Sequence, residues 1–285
     1  GIIGAAIDSF KRAIRIKPDY AEAYNNLGNA FNSFGDPKAA IDSFRQLMIL
    51  KPNFAEGYYN MGIAFLYMGE IKSAIQSYKQ AIKIKPNYAD AYWNLYGTAE
   101  KISDAKTWIA KCLEANPKHL KAKLTLSALQ FYEGDKSDFN ELVKSSLKDH
   151  PFTRSFSWAF SLPKLPPLHF HRWALFDHMT DLSKKDRPFY EFGVWRASSF
   201  KYLLKSFKEG YGFDTFTGLP EDWDVGVGIE QAGSYSSDGN VPKLKGGEFI
   251  VGKFEDTLPV FFSENRPMAS IINFDADLYL SLIHI

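Results

Sequence analysis

The chain has 285 residues, with 34 basic and 33 acidic side chains, 45% hydrophobic and 24% charged residues. That length leaves room for about two domains. The charge balance excludes a dedicated nucleic-acid or anionic-membrane surface, and the apolar content excludes a wholly disordered chain. A single cysteine, Cys112, excludes an internal disulfide framework and a cysteine-rich zinc site, and fits a reducing, cytoplasmic setting. No apolar run of about 18 residues is present, so no membrane span is expected.

From the amino terminus the chain repeats. Pro18, Pro52 and Pro86 stand 34 residues apart, Pro117 follows after 31 and Pro151 after another 34. Aligned on these prolines, other positions form columns: Tyr24, Tyr58 and Tyr92; Leu27, Met61 and Leu95; Gly28 and Gly62; Gly35 and Gly69; Ala40, Ala74 and Ala105; Phe44, Tyr78 and Ile109. Small residues are expected where paired helices approach, large ones between pairs, and proline where one pair turns into the next. The pattern resembles the tetratricopeptide repeat (TPR), which implies an α-solenoid over residues 1–151. The chain opens inside a repeat, where Ala6, Phe10, Ala13 and Pro18 match only a second helix. The repeat from Ala89 is three residues short, with Tyr96 in place of the packing glycine. The repeat ending at Pro151 keeps Gly134 but few small residues and is expected to be a degenerate cap. Cys112 falls in a small-residue column and is expected in the core.

Asn26, Asn60 and Asn94 recur at the same 34-residue spacing. They resemble the asparagine ladder of O-linked N-acetylglucosamine transferase repeats, which implies an extended peptide or protein partner gripped through its main chain, since amides donate and accept together. The alternative is that these amides bond within or between helices. Tyr59 and Trp93 beside them read as groove anchors or as packing.

Residues 152–169 hold Pro163, Pro166 and Pro167 among aromatics and are expected to be a linker packed on a neighbour. From residue 170 onward the grammar changes. Helical spacing over His169–Ser183 precedes an alternation of expected strands (Phe189–Val194, Tyr211–Phe216, Phe249–Phe254, Ala269–Asp275) and helices (Ser198–Phe207, Thr257–Asn265). Such alternation predicts a parallel sheet whose ligands bind at the carboxyl ends of its strands. His169, His171 and His178 lack zinc spacing.

The first expected strand runs into Glu191-Phe-Gly193-Val and then Ser198 at the start of a helix. Gly193 lets a ligand approach, and Ser198 opens a helix with free amide groups. One glycine is too few for a dinucleotide fingerprint, and the Glu191 carboxylate suits the cationic end of S-adenosylmethionine. Asp214, 23 residues after Glu191, stands where an acid binds ribose hydroxyls; capping of a turn is the alternative.

Five ordered motifs, Glu191-Phe-Gly-Val, Gly212–Trp223, Ser236–Pro242, Gly252–Pro259 and Asp275-Ala-Asp-Leu-Tyr279, resemble the macrocin O-methyltransferase (TylF-type) family of class I S-adenosylmethionine-dependent enzymes. The resemblance implies a Rossmann-like sheet, methyl transfer to a hydroxyl of a small-molecule acceptor such as a sugar, and Mg²⁺. It implies that Glu191, Gly193 and Asp214 hold the cofactor, that Asp275 serves the metal and catalysis, and that Asp277 is a weaker metal ligand. The loop from Pro220 to Pro242 is expected to cover the site. The family continues past its Asp-x-Asp-Leu-Tyr motif, whereas this chain ends Leu280-Ser-Leu-Ile-His-Ile285. Residues 280–285 are therefore expected to be adapter-derived, the chain to be cut at both ends, and the fragment itself to be inactive. Two functions follow: an O-methyltransferase carrying a protein-binding array, or a TPR scaffold whose methyltransferase-like domain is degenerate or only holds a ligand.

Overall fold

The computed structural model describes residues 2–219, 221–224 and 229–275. The chain divides into two compact units, Ile2–Ala174 and a second beginning at Leu175.

The first unit is built of helices. They are α1 (Ile2–Ile16), α2 (Ala21–Phe34), α3 (Pro37–Leu50), α4 (Ala55–Tyr67), α5 (Ile71–Ile84), α6 (Ala89–Tyr96), α7 (Ile102–Ala115), α8 (Leu120–Tyr132), α9 (Ser137–Leu142) and α10 (Pro151–Phe160), with the unit ending inside α11 (Arg172–Asp181). The repeat columns account for the element ends. Gly35 and Gly69 take left-handed φ values of 76° and 74° after α2 and α4, a conformation that costs glycine little. Asp36 then accepts from the Ala39 amide at 3.0 Å, and Pro37 occupies the first turn of α3, a capped start.

The same columns build the core. Ala40, Ala74 and Ala105 are fully buried, as are Phe44, Tyr78 and Ile109. A Cβ on Gly28 would stand 2.5 Å from the Phe44 ring, and one on Gly62 2.5 Å from the Tyr78 ring. These glycines therefore let the two helices of each pair close around an aromatic ring. The repeat from Ala89 differs as its sequence does. With Tyr96 in place of glycine, α6 stops after 8 residues, and Tyr96 packs tilted against Trp93 (4.8 Å) and meets Phe170 edge-on (5.8 Å).

The expected linker is corrected in its first part. Residues 151–160 form α10, started by Pro151 and by the His150 ring accepting from the Phe152 amide at 3.2 Å. Phe160 stacks on Phe131 at 4.2 Å and meets Phe139 at 5.1 Å, so α10 belongs to the array and covers its last repeat. Only the proline-rich residues after it lack regular structure, up to α11.

The second unit contains β1 (Phe189–Phe192), α12 (Ser198–Leu203), β2 (Gly210–Asp214), β3 (Trp223–Asp224), β4 (Ile229–Glu230), β5 (Gly247–Val251), α13 (Phe254–Ser263) and β6 (Ile271–Phe274). The strands and α12 are shorter than the apolar runs that announce them, and α13 begins three residues before the expected Thr257. The main sheet is parallel, in the order β5-β2-β1-β6; β3 and β4, a short antiparallel pair, are too brief to register in the sequence. Phe192 is in register with Phe213 and Phe274 and stacks on them at 4.7 and 5.2 Å. On the other face Phe200 packs between Phe189 and Phe249, 4.7 Å from each. Every residue of β1 is thus buried, as in a strand covered on both faces. Ile272 and Phe274 on β6 are half-exposed.

Candidate functional sites

Two surfaces hold the residues singled out by the sequence. In the sheet unit the carboxyl ends of three strands align. Gly193 donates its amide to Phe213 O at 2.9 Å, and Asp275 donates its amide to Phe192 O at 2.8 Å. Gly193 therefore lies between the strand ends that carry Asp214 and Asp275. The backbone here is strained: besides Gly193 (φ 85°), Trp195, Ala197 and Phe216 sit at φ 46°, 60° and 59°, a state that costs a side-chain-bearing residue about 1 kcal/mol or more.

What holds the turn in that state is Asp214. Its Oδ2 accepts from the Val194 and Trp195 amides at 2.7 and 2.8 Å, and its Oδ1 from the Phe216 amide at 2.6 Å. A ribose hydroxyl would have to share oxygens that already serve three backbone donors. Glu191 is fully buried, and its Oε1 accepts from Ser199 Oγ at 2.6 Å. That bond ties β1 to α12 and turns the carboxylate toward the protein. Ser198, named from the sequence, is exposed at the start of α12, while its neighbour Ser199 is buried. Ser199 was missed because two adjacent serines give no sign of which faces inward.

Asp275 is exposed at the end of β6, and Asp277 lies outside the described residues. Among the described residues no three His, Cys, Asp or Glu side chains converge to hold a metal ion. The described parts of the expected cover are tied to the turn. Trp195 Nε1 donates to Ser236 O at 3.3 Å, the Ser237 and Gly239 amides donate to Phe216 O, and the Leu219 and Gly233 amides close a pair with Ser234 O and Leu219 O.

On the array, Asn26, Asn60 and Asn94 occupy equivalent places on α2, α4 and α6. Asn26 is exposed, and the other two are half-buried. Tyr59 packs 5.0 Å from Tyr88 and 6.0 Å from Tyr78. Burial raises the Tyr59 and Tyr78 hydroxyls above the ordinary phenol range, and the nearby Asn94 amide offsets part of that rise. Trp93 packs against Tyr96 and against the His119 ring at 5.1 Å.

With the geometry in hand, the comparisons define the first unit. A TPR repeat model matches residues 1–35 and 64–95, and a tetratricopeptide repeat model matches residues 21–54. The chain carries tetratricopeptide repeats on a helical solenoid, together with a small parallel sheet. Similar solved structures include MamA from Desulfovibrio magneticus RS-1, 21% identical over 53% of this chain and 88% of that one, TM-score 0.46. YrrB, described as a TPR protein with an unusual peptide-binding site, is 16% identical over 55% of this chain and 84% of that one, TM-score 0.45. The first TPR of Spaghetti (RPAP3), bound to an HSP90 peptide, is 21% identical over 40% of this chain and 92% of that one, TM-score 0.38. No curated protein matches the chain. Among the described residues no helix is long and apolar enough to cross a membrane.

Proposed function

We propose that this chain is a protein-interaction scaffold whose repeat array holds an extended peptide, working in a reducing, cytoplasmic setting. The supporting observation is the placement of Asn26, Asn60 and Asn94 on successive first helices α2, α4 and α6. Amide side chains at repeat spacing suit main-chain recognition, because each can donate and accept at once. The aromatic neighbours Tyr59 and Trp93 add apolar contact beside that row. The test is selection from a library of unstructured peptides on the immobilised chain and on the Asn26→Ala/Asn60→Ala/Asn94→Ala variant. The wild type is expected to retain peptides that the variant does not; equal retention removes the reading.

A second reading rests on the sheet unit: an O-methyltransferase taking its methyl group from S-adenosylmethionine, with a small hydroxyl compound as acceptor. It is favoured by the parallel order β5-β2-β1-β6, which matches the first four strands of a doubly wound sheet, and by the strained Gly193–Ala197 turn at the strand ends. Against a direct hold on the cofactor stand the inward commitments of Glu191 and Asp214. Calorimetry with S-adenosylhomocysteine, with and without Mg²⁺, checks it: heat from the wild type is expected, and its absence in both conditions removes the reading.

A further inference from the structure

The proline-rich segment that follows α10 lies along the array itself, across three of its first helices. At one end Tyr132, the last residue of α8, donates its hydroxyl to Pro166 O at 2.9 Å. In the middle Leu168 and Phe170 join the apolar cluster that contains Trp93, Tyr96, Ala99, Ile109 and Leu129. At the other end the Trp173 indole, almost fully buried, donates Nε1–H to Leu66 O near the end of α4, at 2.7 Å. Pro166 and Pro167 keep residues 162–171 out of helix, so the chain passes from α8 over α6 without regular structure and meets α4 at the first turn of α11, which carries Trp173. The early end of α6 makes room for it: Tyr96 stands where other repeats have a packing glycine, and Phe170 fills the space beside it. The cluster includes Trp93, the neighbour of Asn94.

We propose that residues 165–173 are an intramolecular occupant of the array's peptide-binding face, and that a partner peptide binds there by displacing them. This rests on the peptide-scaffold reading above. The strap also states the chemistry of the partner. It is an extended proline-containing segment with a carbonyl for Tyr132 and two apolar side chains two residues apart, ending in a helical turn that carries an aromatic N–H donor three residues further on. Because the internal strap is always at hand, a free peptide binds only to the fraction of molecules whose strap has left, and its apparent affinity falls by that fraction. The array is therefore closed to weak ligands and open to those that match or exceed the strap.

The test uses the whole chain and a fluorescein-labelled peptide with the sequence of residues 165–173, read by fluorescence anisotropy. The Phe170→Ala/Trp173→Ala chain, whose own strap is weakened while the face is unchanged, is expected to bind the peptide at least tenfold more tightly than the wild type. The same unlabelled peptide with alanine at the two aromatic positions is expected not to compete. Equal affinity in the two chains, or no binding to a variant with wild-type circular dichroism, overturns the proposal. Should the double variant not fold, Leu168→Ala alone is expected to tighten binding about threefold, and unchanged affinity again overturns it. Adding the three Asn→Ala changes to the strap-weakened chain separates the two readings. Tight binding that survives their loss removes the asparagine ladder and leaves the strap; binding lost with them supports both.

Discussion

Gly62 offers the sharpest quantitative test of how the array is packed. Replacing a helix-interior glycine by alanine stabilises a free helix by about 1 kcal/mol. At Gly62 the new methyl would stand 2.5 Å from Tyr78 Cε1 and 2.7 Å from Cδ1, about 1 Å inside ordinary contact. The ring cannot easily retreat, because Tyr78 is fully buried and packs on Tyr59. Overpacking of a tight core costs about 1–3 kcal/mol; set against the gain in helix propensity, Gly62→Ala should destabilise the array by about 1 kcal/mol. Gly4 in α1 is the control, since a Cβ there meets nothing within 4 Å, and Gly4→Ala should stabilise by about 0.5–1 kcal/mol. Urea unfolding followed by far-ultraviolet circular dichroism should show midpoints displaced in opposite directions, each by about 0.5 M or less for a slope near 2 kcal/mol/M. If Gly62→Ala raises the midpoint as Gly4→Ala does, the helix pairs are not closed around the ring and the packing argument fails.

Two further perturbations probe the buried thiol and the strand-end turn. Burial, helped by Asp90, pushes the Cys112 thiol up to about 11 from its ordinary 9.0. The unfolded chain therefore loses this proton first as pH rises, and the array should lose stability between about pH 9 and 11. Urea midpoints of Cys112→Ala should fall less steeply than those of the wild type over that window; parallel slopes would count against a protected thiol. Asp214→Asn turns one acceptor oxygen into an N–H donor facing backbone amides, and should lower the stability of the sheet unit by about 1.5–3 kcal/mol. Unchanged melting together with lost binding of S-adenosylhomocysteine would show that the carboxylate serves the cofactor and not the turn.

The repeat unit was legible because each of its columns performs one physical task several times over. Gly35 and Gly69 share a left-handed cap, Gly28 and Gly62 share a ring-facing gap, and Ala40, Ala74 and Ala105 share a buried contact. Helix α10 escaped because the prolines after it, Pro163, Pro166 and Pro167, dominated the reading of residues 152–169, although His150 and Pro151 form an ordinary helix start. The strap escaped for a different reason. Trp173 and Leu66 are 107 residues apart, and a bond from an indole to a main-chain carbonyl leaves no mark on the residue that supplies the carbonyl.

The strand-end acids show where position and direction part. Spacing places Glu191 and Asp214 at the ends of neighbouring strands, and the structure has them there. Spacing does not say toward what their oxygens turn. Because β1 is covered on both faces, any side chain on it is buried, and a buried carboxylate must find donors nearby. Glu191 finds Ser199 on α12, and Asp214 finds the amides of the turn it caps. The Asp214 bonds pin the left-handed residues Trp195 and Phe216, which the chain would otherwise relax. Asp214 therefore acts on the backbone, holding the strand-end turn through the Val194, Trp195 and Phe216 amides, while Glu191 acts through Ser199 on the seating of α12 against β1.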